Sequence, residues 1–141
     1  MKKVRHGGTV LLIEDNPDHA EFALRAFRNS ESPMEVVWVK DGQEALELLQ
    51  SGECRPDLIL LDVNLARVHG HEVLRRVKSD PKLRTIPVVM LSTSDRPQDV
   101  GESYRAGANS YVNKPVSFQD LVQRVTSVKD YWLTTNQVPI P

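Results

Sequence analysis

The sequence is short of the features that would commit it to a membrane, a secreted scaffold or a nucleic acid. It has a single cysteine, Cys54, so no internal disulfide can form and a reducing compartment is expected. It has no excess of positive charge: 18 Lys and Arg against 19 Asp and Glu leave a net charge of -1. A nucleic-acid surface would need a basic stripe, and the sequence offers none. No apolar run approaches the roughly 20 residues of a membrane-spanning helix. The first such run, Val10–Ile13, follows Lys2, Lys3 and Arg5 but is too short for a signal-peptide core and meets Glu14 and Asp15 at once. There is no internal repeat and no low-complexity segment. These absences predict a cytoplasmic protein with neither a membrane nor a nucleic acid among its partners.

What is present is an ordinary globular composition, 40% hydrophobic and 26% charged over 141 residues. That length suits one compact domain. We place it at 9–130, between an N-terminal extension, 1–8, and a C-terminal tail, 131–141.

Short apolar runs alternate with helical patterns. Thr9–Ile13, Leu58–Leu61 and Val88–Leu91 are apolar on both faces, as strands of a parallel sheet covered by helices must be. Glu35–Val39 is a further strand and Ser110–Asn113 a short last one. Between them, Asn16-Pro17 caps a helix carrying Ala20, Ala23, Leu24 and Phe27 on one stripe. Asp41 and Glu44 resemble a capping box ahead of Ala45, Leu48 and Leu49. A third helix carries Val73, Leu74 and Val77. A fourth, near Pro97–Arg105, has little apolar material beyond Val100 and Tyr104. The last opens at Ser117-x-x-Asp120 and continues through Leu121, Val122, Val125 and Val128 toward Trp132. The tail Thr134–Pro141 reads as irregular, because its prolines oppose a helix. Five strands alternating with five helices, joined by right-handed crossovers, predict an α/β fold: a doubly wound five-stranded parallel sheet.

In such a sheet function gathers at the carboxyl ends of the strands. Those ends carry Glu14-Asp15, then Asp62, then Ser92-Thr93, and finally Lys114-Pro115. Three converging carboxylates repel one another unless a hard divalent cation neutralises them. A lysine and a hydroxyl nearby can hold phosphoryl oxygens, which completes a kit for transferring a phosphoryl group to an aspartate. Singly, each residue has an ordinary explanation: a solvated turn acid, a helix cap, a turn hydroxyl, a surface lysine. Their arrival at four strand ends of one sheet order does not.

Here the chain resembles the response-regulator receiver family, over Thr9 to about Lys129, through Glu14-Asp15, Asp62 in LILLDVNL, Ser92 in IPVVMLST and Lys114-Pro115 in AGANSYVNKP. The resemblance implies the flavodoxin-like receiver fold, and a switch rather than an enzyme acting on other substrates. It implies that Asp62 accepts a phosphoryl group from a sensor histidine kinase. Glu14, Asp15, Asp62 and the backbone carbonyl of Asn64 would bind Mg²⁺ or Mn²⁺. Ser92 would hydrogen-bond the phosphoryl group and Lys114 pair with it. Tyr111 sits where the family has a switch aromatic that works with Ser92, and the Lys114–Pro115 bond would be cis. Asn64 and Ser94, each two places beyond a site residue, are expected to tune the phosphoryl lifetime. Ala66 and His69 depart from the family's usual proline and aspartate, which concerns the loop after Asp62. His69 and His71 read as solvated loop residues.

The segment LRRVKSDPKLRTIPVVMLSTS and the DYWL that follows the last helix are similar to the small stand-alone regulators of bacterial and cyanobacterial phytochrome kinases. That resemblance implies a homodimer, for which Tyr131 and Trp132, with Val138, Pro139 and Ile140, are interface candidates. A phosphotransfer shuttle in a multistep relay is the alternative role. A flavodoxin-like electron carrier is disfavoured by Glu14-Asp15, which would repel a bare phosphate. A haloacid-dehalogenase-type phosphatase would need a second carboxylate where Asn64 stands.

Overall fold

A computed structural model of the chain describes residues 8–29, 34–137 and 139. Strands β1 (Thr9–Ile13), β2 (Glu35–Val39), β3 (Leu58–Leu61), β4 (Val88–Ser92) and β5 (Ser110–Asn113) form one parallel sheet in the order β2-β1-β3-β4-β5. Helices α1 (Pro17–Arg28), α2 (Gly42–Ser51), α3 (Gly70–Ser79), α4 (Pro97–Arg105) and α5 (Phe118–Asp130) connect and follow the strands. The expected doubly wound α/β architecture is therefore present.

The sheet divides the core in two, because successive side chains of a strand point to opposite faces. On one face Leu11, Ile13, Ile59, Leu61, Val88 and Met90 pack against Ala45, Leu46 and Leu49 of α2 and Val73, Leu74 and Val77 of α3. On the other, Val10, Leu12, Leu58, Leu60, Val89 and Leu91 meet Ala20, Ala23, Ala26 and Phe27 of α1 and Leu121 and Val125 of α5. Each large aliphatic side chain so removed from water contributes about 1.5–3 kcal/mol. Both faces of β1, β3 and β4 are buried, which is why those strands are continuous apolar runs. β5, at the sheet's edge, is half-buried throughout.

The helices begin where the caps predict. Asn16 Oδ1 accepts from the amides of Asp18 and His19, Asp41 Oδ1 from those of Gln43 and Glu44, and Ser117 Oγ from that of Asp120. Helix α2 is rotated from the expected stripe: it buries Gly42, Ala45, Leu46 and Leu49, leaving Leu48 half-buried. Gly42 decides this, since a Cβ there would lie 2.7 Å from Val73 Cγ2. Helix α1 similarly buries Ala26 where the sequence reading put Leu24. Gly52 ends α2 in the left-handed region, φ +81°, which only glycine adopts freely.

The tail differs from expectation at its start. The chain continues from α5 into a π-helical turn, Tyr131–Thr135, which includes Thr134. Trp132 and Leu133 are half-buried against the core face shared by α1 and α5, while Tyr131 is 49% exposed. That apolar contact carries the helical path past Asp130 before the prolines can stop it. Val138 and Ile140 lie outside the described residues.

Candidate functional site

β1 and β3 are neighbours, and β1 sends its following chain to one side of the sheet and β3 to the other. The crevice beyond their carboxyl ends is the topological switch point, where ligands of open α/β sheets bind. Glu14 and Asp15 leave β1 there, and Asp62 leaves β3. The Glu14 amide donates to Val39 O and the Asp62 amide to Ile13 O, both at 3.1 Å, so sheet hydrogen bonding fixes both backbones. Ser92 ends β4, fully buried. Lys114 follows β5, and its amide donates to Ser92 O at 2.8 Å.

The three carboxylates converge: each of Glu14, Asp15 and Asp62 offers an oxygen within 4.8 Å of the others. Lys114 Nζ bonds Glu14 Oε1, lies 3.6 Å from Asp62 Oδ2, and is 3.1 Å from His19 Nδ1. Burial pushes the Glu14 carboxyl up to about 7, with the charge of Asp62 adding to the rise and Lys114 opposing it. Three carboxylates drawn together beside a single ammonium leave negative charge in excess. Hard oxygen ligands in such excess fit a divalent cation such as Mg²⁺ or Mn²⁺, and the donor set here fits one.

The Lys114–Pro115 bond is trans, not cis as the resemblance implied. Trans is the default even before proline, by about 0.5–1 kcal/mol, and nothing here demands otherwise. The hydrogen bond from the Lys114 amide to Ser92 O already extends β5 by a residue, and the side chain reaches the carboxylates.

The remaining expected residues lie around this cluster. Asn64 is exposed beside it, and its amide is 3.4 Å from Asp62 Oδ1. Ser92 Oγ accepts from the Ser94 amide at 3.2 Å. The Ser94 side chain turns away from the cluster, donating to Asp99 Oδ2 in the first turn of α4. Tyr111 is half-buried, its hydroxyl donating to Ser94 O at 2.8 Å, and burial raises its pKa.

His71 is not a solvated loop residue. It lies inside α3, only 4% exposed. Its Nε2 is 2.9 Å from Ser103 Oγ of α4, and its Nδ1 is 3.3 Å from Glu102 Oε2. Burial, and then neighbouring His69, hold its pKa below the usual histidine value. Ser103 Oγ donates in turn to Asp99 O. Hydrogen bonds thus connect Tyr111, Ser94, Asp99, Ser103 and His71 residue by residue, using both the backbone carbonyl and the side chain of Ser94 and of Asp99 between them. His69 is, as expected, exposed in the loop, at the N-cap of α3, where its Nδ1 accepts from the His71 amide at 3.2 Å.

Sequence reading also passed over His19 and Trp38. Trp38 Nε1 donates to Glu14 O at 2.8 Å, a contact that only the parallel register of β1 and β2 brings about. His19 did carry a signal, being in the first turn of the helix that starts just after the acidic pair.

A family model of the response regulator receiver domain matches residues 10–126. The chain is 42% identical over 136 residues to the probable methanogenesis regulatory protein FilR2 of Methanothrix harundinacea, covering 94% of this chain and 88% of that one. It is 37% identical over 135 residues to the response regulator Rcp1 of Synechocystis, covering 92% of each. The crystal structure of the phosphorylated cyanobacterial phytochrome response regulator RcpA matches with a TM-score of 0.89 at 41% identity, over 96% of this chain and 100% of that one. The Mn²⁺-bound form of Rcp1 gives 0.85 at 35%, over 94% and 99%.

Proposed function

This chain belongs to the response regulator receiver domain family, and from that premise we propose that it is a phosphorylation switch whose phosphoacceptor is Asp62. The observation that carries the reading is the convergence of Asp62 with Glu14, Asp15 and Lys114 at the switch point of the sheet. The donor is a sensor histidine kinase. An Asp62 oxygen forms a bond to phosphorus as the bond from phosphorus to the kinase's histidine nitrogen breaks, and that electron pair leaves with the nitrogen.

Glu14, Asp15, Asp62 and the Asn64 carbonyl would hold Mg²⁺ or Mn²⁺, which supplies positive charge to the phosphoryl oxygens when bound. Lys114 gives a second positive charge from the end of β5. Ser92, buried at the end of β4, becomes a hydrogen-bond donor to the phosphoryl group. Because its Oγ now accepts from the Ser94 amide, that move pulls on the segment to which Tyr111 is bonded. The switch thus leaves the site through the loop from Ser92 to Asp99. Asn64, exposed beside Asp62, and Ser94 set how readily water reaches the acyl phosphate. The protein catalyses only its own phosphorylation and dephosphorylation.

The likeness to RcpA, a cyanobacterial phytochrome response regulator, supports a phytochrome as the sensor. The exposed Tyr131 at the end of α5 supports a homodimer. A groove lined by Asn109, Ser110, Ser127, Val128, Tyr131 and Trp132 adjoins β5 and the end of α5, where a second copy can seat Tyr131. A relay shuttle would use the same site. A phosphatase of the haloacid dehalogenase type would lack its acid, since Asn64 cannot donate and recover a proton as a carboxyl does.

Acetyl phosphate tests the site. With Mg²⁺, intact mass should rise by one phosphoryl group, and Asp62→Asn should abolish the gain. The same gain in that variant would refute the assignment.

A further inference from the structure

We propose that His19 is a positioning residue for Lys114, holding its ammonium at the site through the whole phosphorylation cycle. The inference rests on the reading of Asp62 and Lys114 given above and adds a residue to it.

Lysine has three N–H bonds and no acceptor. Lys114 has three partners: it hydrogen-bonds Glu14 Oε1 and His19 Nδ1, the latter at 3.1 Å, and forms an ion pair with Asp62 Oδ2 at 3.6 Å, beyond hydrogen-bond reach. Since the ammonium can only donate, Nδ1 is the accepting nitrogen and the imidazole is neutral, its proton on Nε2. Burial, and then the charge of Lys114 itself, hold the histidine pKa below its ordinary value, in keeping with that form.

The three partners are not equivalent. Glu14 and Asp62 are carboxylates from the cluster that fits a divalent cation, and a cation there competes with the ammonium for both. Asp62 also changes its chemistry when it takes up a phosphoryl group. His19 is the partner whose charge is altered by neither event. Its backbone is fixed, because Asn16 Oδ1 accepts from its amide at 3.2 Å at the start of α1. The imidazole lies 4.0 Å from Glu14 Oε2, so it stands at the edge of the cluster without occupying it. It therefore tethers a long, flexible side chain to a helix when the carboxylates let go. Effective phosphoryl transfer needs that cation already in place, since orientation rather than covalent chemistry is what the protein contributes.

Two substitutions separate positioning from simple packing. Asn carries Oδ1 where His carries Nδ1 and keeps the acceptor. Leu keeps bulk and removes it. Uptake of phosphate from acetyl phosphate at saturating Mg²⁺ should slow about tenfold in His19→Leu, the order expected for a misplaced group, and stay within about twofold in His19→Asn. At saturating Mg²⁺, where the cation competes for both carboxylates, the ammonium protons of Lys114 should be visible by nitrogen-detected NMR in the wild type and His19→Asn, and exchange away in His19→Leu. The proposal is overturned if His19→Leu takes up phosphate at the wild-type rate, or if His19→Asn slows as much as His19→Leu. Lys114→Ala separates the layers. Should it too leave uptake unchanged, the reading of the site fails with it. If it slows uptake while His19→Leu does not, only the role of His19 falls.

Discussion

At the scale of single residues, Glu14 ties the stability of the fold to pH. Its carboxyl is raised from an ordinary value near 4.5 to about 7, so the folded chain binds that proton more tightly than the unfolded one. This contribution to stability is fully present below pH 4.5 and is lost as the pH rises through about 7. Urea unfolding of the metal-free protein should therefore show a drop between pH 5 and pH 8 that is smaller in Glu14→Gln. Mg²⁺ should offset the drop in the wild type, because the ionised carboxylate then has a counter-charge. An equal drop in both proteins would remove Glu14 as its cause. Gly70 is a second residue on which the site depends. A Cβ there would lie 2.2 Å from Asp62 O and 2.7 Å from Val63 O, backbone atoms that cannot step aside singly. Gly70→Ala should cost about 1–3 kcal/mol in thermal unfolding and slow phosphate uptake, since relief of the clash moves the segment that carries Asp62. A variant as stable and as reactive as the wild type would show that α3 can shift freely.

At the scale of elements, α4 stands apart from the other helices. It buries only Ser103, and its N-cap, Arg96, makes no side-chain cap bond. Polar links therefore do for α4 what apolar packing does elsewhere. Ser103 Oγ bridges His71 and Asp99 O, and Asp99 receives Ser94. Ser103→Ala should leave a buried histidine nitrogen without its partner and cost about 1–3 kcal/mol. Amide exchange should quicken in α4 more than in α1 or α3. Uniform quickening across all helices would instead mean that the bond supports the whole fold. The strand ends were legible from sequence because parallel strands covered on both faces must be apolar. Glu14, Asp62 and Ser92 therefore stand out as the first polar residues after such runs. The rotation of α2 was not legible, because Ala45-Leu48-Leu49 and Gly42-Ala45-Leu46-Leu49 are both acceptable stripes. A contact with Val73 on another helix chooses between them. Nor was the place of His71, whose partner lies 32 residues away on a helix with almost no apolar signal.

At the scale of the whole molecule, the end of α5 decides whether one copy is complete. Trp132 and Leu133 already cover their own core, whereas Tyr131 stays 49% exposed beside the groove at Ser127 and Val128. Tyr131→Ala should thus shift a homodimer toward monomer in sedimentation velocity without lowering the melting temperature of the fold, while Trp132→Ala should lower both. A wild-type protein that sediments as a monomer at tens of micromolar, phosphorylated or not, would end the dimer reading. The tail was only partly legible because its prolines marked where the helix must stop but not the π-helical turn that precedes them. The two tryptophans of the sequence fall on the two regions that matter most. The indole of Trp38 is bonded to the backbone of an expected metal ligand, and Trp132 sits at the expected subunit contact. The protein consequently carries its own pair of optical probes. Substituting Phe for one leaves the emission of the other, so that ion loading and self-association can each be followed by colour and intensity in unlabelled protein.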